Sequence, residues 1–421
     1  MLKETGNHAH SVRDNAVSPR RFRRLAEPSV LPHGLRLFSA RTAVYDGARL
    51  MVKLDTAKLK IRRFTALDQV RGLAVLMMIC AHFGPGLYER AGLQGVVLDF
   101  LNFLGRIATP AFVLIFGITI AIIYVRKAQT DTAKARRTLL KRSGLVFFCS
   151  LAVALPETLD FILHPAEEDV GGWTYGILLR QYSVLSFYAV AIFITAFCIG
   201  HIARDPVRRG LVYGAALVFI GTYLGYDAWP EEAGTLIEIV RLLVVSGKYA
   251  VFVLLGCSWM MIAVGVFVVR KMAANEDYRQ DLTVAAIVLT LLGLAAGRIV
   301  GWRSLYDLQN DYGAPPQIWY LLMIAGLMIA SLVALDRFQI PFFSTLLELV
   351  GRSPLSFYIA HAFVLPSIDV MRIILPFLPD LVIIGTCMSL FMLYGAALLW
   401  RNYKLSGRSG FANPAPRLRA S

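Results

Sequence analysis

Long apolar stretches recur along almost the whole chain, and they restrict its fold more than any other feature. The 421 residues are 57% hydrophobic and only 17% charged, with a mean hydropathy of +0.59, which is far from the composition of a soluble enzyme. An apolar stretch of roughly 18 residues is long enough to cross a bilayer as a helix. The sequence predicts ten spans, at residues 67–84, 107–125, 143–163, 182–200, 210–226, 248–269, 282–300, 317–335, 343–366 and 381–400.

The positions of the basic residues favour ten spans with both termini in the cytoplasm. Short cytoplasmic loops are enriched in Lys and Arg. With the N-terminus inside, the inner loops and the C-terminal tail hold 19 Lys and Arg, and the outer loops hold four. An error of one span would invert every later loop and remove this asymmetry. We therefore predict an all-α integral membrane protein of about ten transmembrane helices in the cell (cytoplasmic) membrane.

The remaining sequence divides into a membrane domain and two tails. Residues 1–60 are basic, and the first 50 lack the apolar core of a secretory signal, so we expect a disordered tail and suspect that Met51 is the true start. Residues 61–402 form the predicted membrane domain, and 403–421 a cytoplasmic tail. The five cysteines lie inside apolar spans without paired spacing, which predicts neither disulfides nor a metal site. The membrane setting makes nucleic acid an improbable partner.

Two polar residues of the first span, Arg71 and His82, share one helical face. They are eleven positions apart with no charged residue between them, which separates them by about 20° around a helix and about 16 Å along it. An ionisable residue inside a membrane is by default a hypothesis of function. Asp68, three residues before Arg71, could cap the helix or hold the Arg71 side chain. Gly84, Pro85 and Gly86 are predicted to end the helix.

Other polar residues in the spans have simpler interpretations. Tyr358 and His361 are three positions apart on one face of a late span; they could orient a substrate or support His82, or form an ordinary interhelical hydrogen bond. For most basic residues left in spans or at their margins, pairing or snorkelling is the simpler interpretation. These residues are Arg71, Arg106, Arg241, Lys248, Arg298 and Arg352.

Several segments resemble a family of membrane enzymes. The stretch RFTALDQVRGLAVLMMICAHF is similar to the first-helix motif of the acyltransferase 3 family, in which ten residues separate an arginine from a histidine. The stretches TPAFVLIFGITIAI, LLKRSGLVFF and GRSPLSFYIAHAFVL resemble the wider transmembrane acyltransferase superfamily, which includes relatives of heparan glucosaminide acetyltransferase and glucan succinylation enzymes. The resemblance covers residues 60–402, but residues 164–335 carry no recognisable motif.

The resemblance implies transfer of an acyl group, often acetyl, from cytoplasmic acyl-CoA to a hydroxyl or amine of a carbohydrate or lipid-linked glycan. Acyl-CoA is then a co-substrate, and no permanently bound cofactor or metal is expected. In this hypothesis His82 is the general base, Arg106 or a backbone donor near Gly84 stabilises the oxyanion, and Tyr358 and His361 are secondary candidates. Its phosphate-binding candidates are Arg71, Arg136, Arg137, Lys141 and Arg142.

The sequence by itself leaves two alternatives open. The positive charge of the loop at 126–142 is also explained by membrane topology alone. Ten spans with buried charges would also suit a transporter or channel for a polar solute. A carrier built from repeats should contain matching Gly- or Pro-broken spans in its two halves, and no convincing pair is visible in the sequence.

Overall fold

The computed structural model describes residues 64–90, 95–163, 172–223, 236–302 and 316–408. These residues belong to one compact unit within Leu54–Ser421. The predicted basic tail, with Met51, and the chain from residue 409 onward lie outside the described residues. The helices are α1 Thr65–Arg90, α2 Val96–Thr119, π1 Ile120–Val125, α3 Arg126–Thr130, α4 Thr132–Leu163, α5 Gly172–Arg180, α6 Val184–Ile202, α7 Pro206–Tyr223, α8 Leu236–Arg241, π2 Leu242–Ser246, α9 Val251–Ala274, α10 Arg279–Ile299, α11 Ile318–Arg337, α12 Pro341–Gly351, α13 Pro354–Ala362, α14 Val364–Ile374 and α15 Asp380–Arg408.

Within the described ranges, nine helical segments are long and apolar enough to cross a membrane. This confirms the predicted fold class, an all-α integral membrane protein with many spans. Eight of these segments coincide with predicted spans, and the ninth, Pro354–Ile374, overlaps only the second half of the predicted span 343–366. The tenth prediction, 210–226, corresponds to α7, an 18-residue helix whose first turn carries Arg208 and Arg209 and is therefore less apolar.

Helix α7 nevertheless packs along a membrane span through glycines. A Cβ atom on Gly214 would lie 2.5 Å from the carbonyl oxygen of Gly256 in α9, and one on Gly210 would lie 2.8 Å from the carbonyl oxygen of Trp259. Gly221 meets Phe252 at the opposite end of the contact. The two helices are thus antiparallel and close, because small residues let helix backbones approach within a membrane.

Large apolar side chains cover the outside of several helices. Phe148 of α4, Phe219 of α7, Leu291 of α10 and Met392 of α15 are all more than half exposed. Surfaces of this kind are unfavourable in water but match the acyl chains of a bilayer. The outer faces of these helices therefore fit a membrane setting.

The first helix does not end where the sequence predicted. Helix α1 continues through Pro85 to Arg90, so the prediction that Gly84, Pro85 and Gly86 end it is wrong. A Cβ atom on Gly84 would lie 2.5 Å from the Leu101 side chain of α2. Tertiary packing of this kind lets a membrane helix keep a proline despite the lost hydrogen bond.

The predicted span 343–366 is divided in two. Helix α12 ends at Gly351, and α13 begins at Pro354, because a proline disfavours the helical conformation in the residue before it. The apolar span instead comprises residues Pro354–Ile374, and α12 is a shorter apolar helix. A Cβ atom on Gly351 would lie 1.7 Å from the carbonyl oxygen of Asp68, so α12 packs directly against the start of α1.

Candidate active site

One cavity of about 1190 Å³ runs between the helices that carry the predicted site residues. Its size exceeds the usual range of about 300–1,000 Å³ for a small-molecule site. Arg71 and His82 of α1 both line it, about 16 Å apart along the helix. Helix α2 runs antiparallel beside α1, with Gly105 against Ala81. The cavity therefore extends along the length of the first span.

The Arg71 end of the cavity is held by a short hydrogen-bonded chain. Arg71 donates to Asp68 Oδ1 at 3.0 Å, and its second terminal nitrogen donates to the Thr119 hydroxyl. Thr119 in turn donates to the carbonyl oxygen of Ile115 at 2.8 Å. Thr119 immediately precedes π1, and π-helical turns are frequent at functional sites. The guanidinium group is thus fixed between α1 and α2.

Further cations surround this end of the cavity. Arg126, Lys127, Arg142 and Arg352 all line it. Lys127 Nζ donates to the Thr138 hydroxyl at 2.8 Å. These side chains come from α3, α4 and the turn after α12. Together with Arg71 they form a cationic mouth from distant parts of the chain.

The predicted phosphate ligands of the basic loop are placed differently from one another. Arg142 lines the cavity, but Arg136, Arg137 and Lys141 are exposed on α4 and are not among its lining residues. The Arg136 guanidinium instead lies 4.2 Å from the centre of the Phe197 ring. That Arg136, Arg137 and Lys141 bind the phosphates of CoA therefore stays a prediction, and their positions outside the cavity lining do not support it.

At the other end of the cavity, His82 packs against a second histidine. The ring centres of His82 and His361 are 4.9 Å apart, edge to face, and those of Tyr358 and His361 are 5.0 Å apart. His82 and Tyr358 line the cavity, whereas His361 is only 3% exposed. The three predicted residues therefore meet, with His361 behind the cavity wall.

Three residues that the sequence did not single out as site residues lie in this inner part of the cavity. Asn102, Lys248 and Tyr249 line it together with Arg106, the predicted oxyanion candidate. Lys248 lies within electrostatic range of His82 and of Arg106. The sequence signal for Lys248 was a lysine next to Gly247 within an apolar stretch. Snorkelling to the membrane surface was the simpler interpretation of this lysine.

The backbone around Lys248 is irregular. Helix α8 continues as π2 to Ser246, and α9 begins only at Val251. The Tyr182 hydroxyl donates to the carbonyl oxygen of Leu242 at 3.3 Å and accepts from the Tyr249 backbone N–H at 2.6 Å. Broken helices occur at membrane depth where they line a cavity or are buried in protein. Tyr182 satisfies part of the backbone at this break.

The cavity has a strongly positive lining. Seven basic residues and a single carboxylate, Asp68, are found among the described residues that line it. The basic residues are Arg71, Arg106, Arg126, Lys127, Arg142, Lys248 and Arg352. This surplus of cations fits anionic ligands. In the parts of the chain that the structure describes, no group of three His, Cys, Asp or Glu side chains could hold a metal ion.

Comparison with known families gives one match. Residues 63–229 match the family model described as heparan-alpha-glucosaminide N-acetyltransferase, catalytic. No curated protein matches the chain. The matched segment is less than half of the chain, yet it includes Arg71, His82, Arg106 and Arg142. The match supports an acetyltransferase embedded in a membrane, whereas the closer resemblance to the acyltransferase 3 family stays a prediction.

Other lining residues lie outside the matched segment. Lys248 and Tyr249 follow it, as do Arg352, Tyr358 and the buried His361. The similarity therefore covers both ends of the Arg71–His82 path but not the wall formed by the broken span and by α13. Residues that select the acyl acceptor of this chain could therefore lie in this wall, outside the matched segment.

Proposed function

We propose that this chain is a membrane-embedded acyltransferase. It moves an acyl group, in the simplest case acetyl, from acyl-CoA to a hydroxyl or amine of a carbohydrate or lipid-linked glycan. The observation that carries the proposal is that Arg71 and His82 line one cavity from opposite ends. The match to an acetyltransferase catalytic domain over residues 63–229 supports it.

The donor enters from the Arg71 end, which the charge pattern predicts to be cytoplasmic. Its phosphates bind the cationic mouth formed by Arg71, Arg126, Lys127, Arg142 and Arg352, because guanidinium groups bind phosphates through paired hydrogen bonds. The pantetheine arm lies along the cavity. The roughly 16 Å between Arg71 and His82 along α1 is a distance that this arm can span, so the thioester reaches His82.

The reaction itself is a direct transfer. His82 takes the proton of the acceptor hydroxyl or amine while the acceptor oxygen or nitrogen attacks the thioester carbonyl carbon. Arg106 stabilises the negative charge on the carbonyl oxygen. The carbon–sulfur bond then breaks, the new ester or amide remains on the acceptor, and the CoA thiolate takes the proton from His82.

A transporter or channel for a polar solute is the second candidate. Buried charges and two irregular spans would suit it, but the acetyltransferase match favours the enzyme. The cell membrane is the proposed location, since the apolar helices indicate a membrane without specifying which one.

The test is acetyl transfer by the purified, membrane-reconstituted protein. Radiolabelled acetyl-CoA is supplied with amino sugars and glycans, and labelled product and free CoA are measured. We expect transfer in the unmodified protein and a loss of about 10²- to 10⁴-fold in His82→Ala, the usual contribution of a general base. Cys80→Ala is the matched control, because Cys80 is two residues away and does not line the cavity. Full transfer by His82→Ala would refute the role of His82, and solute flux without any transfer or CoA release would favour the transporter.

A further inference from the structure

Two cations in the inner part of the cavity have no carboxylate partner among the described residues. Arg106 and Lys248 both line it and lie within electrostatic range of each other. Neither forms an ion pair with any carboxylate of the described residues. The one carboxylate in the described lining, Asp68, is bound to Arg71 at the other end. Glu157 is in electrostatic range of Tyr358 but does not line the cavity.

Two neighbouring positive charges are costly at membrane depth. Like charges repel more strongly where the dielectric constant is low, and charged side chains in membranes normally pair or face a polar cavity. A bound anion between or beside Arg106 and Lys248 would offset both costs. The positive pair therefore indicates a ligand group of opposite charge.

Contacts with Tyr182 fix the backbone on both sides of Lys248. Lys248 belongs to the turn between π2 and α9, where the Tyr182 hydroxyl bridges the Leu242 carbonyl and the Tyr249 N–H. Gly247 packs so closely that a Cβ atom there would lie 2.0 Å from the Tyr182 hydroxyl. These contacts fix the turn that carries Lys248 at the cavity wall.

We propose that Lys248, beside Arg106, forms a subsite for an oxyanion group (phosphate, sulfate or carboxylate) on the acceptor. The assignment to the acceptor rests on the proposed function. In that function the donor phosphates occupy the Arg71 end, about 16 Å away, Arg106 faces the charge that develops on the thioester carbonyl oxygen, and an acetyl group carries no charge of its own. The acceptor is therefore an anionic sugar whose charged group lies within reach of the His82 end.

The first experiment measures transfer to neutral and anionic amino sugars. Glucosamine is compared with glucosamine 6-phosphate, glucosamine 6-sulfate and muramic acid, which differ in the oxyanion they carry. We expect a higher kcat/KM for at least one anionic sugar, mainly through a lower KM. In Lys248→Met the ratio of anionic to neutral kcat/KM should fall about 10- to 100-fold, the effect of losing a charge-assisted hydrogen bond.

Lys271→Met is the control for this experiment. Lys271 belongs to the same span, but it is paired with Glu276 and Asp281 and does not line the cavity. This control should leave the preference ratio unchanged. Equal ratios in the unmodified protein and in Lys248→Met would overturn the subsite. A second arm replaces acetyl-CoA by succinyl-CoA, and Lys248-dependent preference for the charged acyl group alone would move the anion from acceptor to donor and overturn the proposal.

A binding measurement separates this proposal from the proposed function. The shift in thermal midpoint of the detergent-solubilised protein is measured with the same four sugars and no acyl-CoA. Stabilisation by the anionic sugars that Lys248→Met removes would support the subsite even if no acetyl transfer is found. No stabilisation by any anionic sugar, together with unchanged preference in the transfer assay, would refute the subsite while leaving the acyltransferase intact.

Discussion

The imidazole rings of His82 and His361 lie 4.9 Å apart, edge to face, although the two residues are far apart in the sequence. His82 faces the cavity and His361 is buried behind it. No hydrogen bond joins the two rings in the part of the chain that the structure describes. We therefore propose that His361 positions His82 through packing.

This packing role predicts different effects for two substitutions of His361. His361→Ala removes the ring behind His82 and should lower kcat about ten-fold with little change in the KM for acyl-CoA, since an aromatic pair contributes about 0.5–1.5 kcal/mol. His361→Phe keeps a ring in place and should recover most of the rate. Steady-state kinetics of both variants provide the measurement. An inactive His361→Phe would mean that the imidazole itself takes part in proton transfer.

The fork geometry of Arg71 predicts that lysine cannot replace it. Arg71 donates to Asp68 and to Thr119 at the same time, which the single ammonium group of lysine cannot reproduce in the same plane. We expect Arg71→Lys to raise the KM for acyl-CoA about ten-fold with a smaller effect on kcat. Arg136→Lys is the control, because Arg136 lies over Phe197 outside the cavity lining. Equal increases of KM in both variants would instead support the predicted phosphate role of the exposed α4 residues.

The Tyr182 hydroxyl predicts a measurable contribution to stability. Tyr182→Phe leaves the Tyr249 N–H and the Leu242 carbonyl without this partner, so the free energy of unfolding should fall by about 1–3 kcal/mol. The thermal midpoint in detergent is the measurement. Tyr403→Phe, at an exposed position on α15, should not change it. An unchanged midpoint for Tyr182→Phe would show that the break is held by other contacts.

Close packing of α12 against α1 predicts that Gly351 cannot be enlarged. A Cβ atom there would lie 1.7 Å from the Asp68 carbonyl oxygen, so Gly351→Ala must displace α12 and should cost about 1–3 kcal/mol of stability. Acyl-CoA binding should weaken as well, because Asp68 holds Arg71. Gly385→Ala is the control: no described atom lies within 4 Å of its new methyl group, and alanine is the better helix former. Equal melting of both variants would show that the α1–α12 contact adapts.

Whether α7 crosses the membrane decides the topology of the second half. If it does, single cysteines at Asp131 and Asn275, in a background without the five native cysteines, should be labelled from the same side by an impermeant reagent. If α7 lies on the surface, the two cysteines should be labelled from opposite sides. The antiparallel contact of Gly214 with Gly256 leads us to expect the first result.

The sequence by itself determined the fold class and the placement of Arg71 and His82 on one face of the same helix. Both depend on local rules: apolar length predicts a span, and helical periodicity places residues eleven positions apart on one face. The Asp68–Arg71 pair is likewise a local, i to i+3 contact. These properties are encoded within single helices, so they could be predicted without knowing how the helices pack.

Only the tertiary structure decided which distant residues share the cavity. Helix α1 continues past Pro85, where Leu101 of α2 packs against Gly84, and the local rule for proline does not predict this continuation. Lys248 lines the cavity at a break between π2 and α9, and Tyr182, which precedes α6, bonds to the backbone on both sides of that break. His361 reaches His82 only through the placement of α13. Such contacts depend on interhelical geometry, and in a membrane that geometry is set by close packing and polar contacts rather than by hydrophobic pattern.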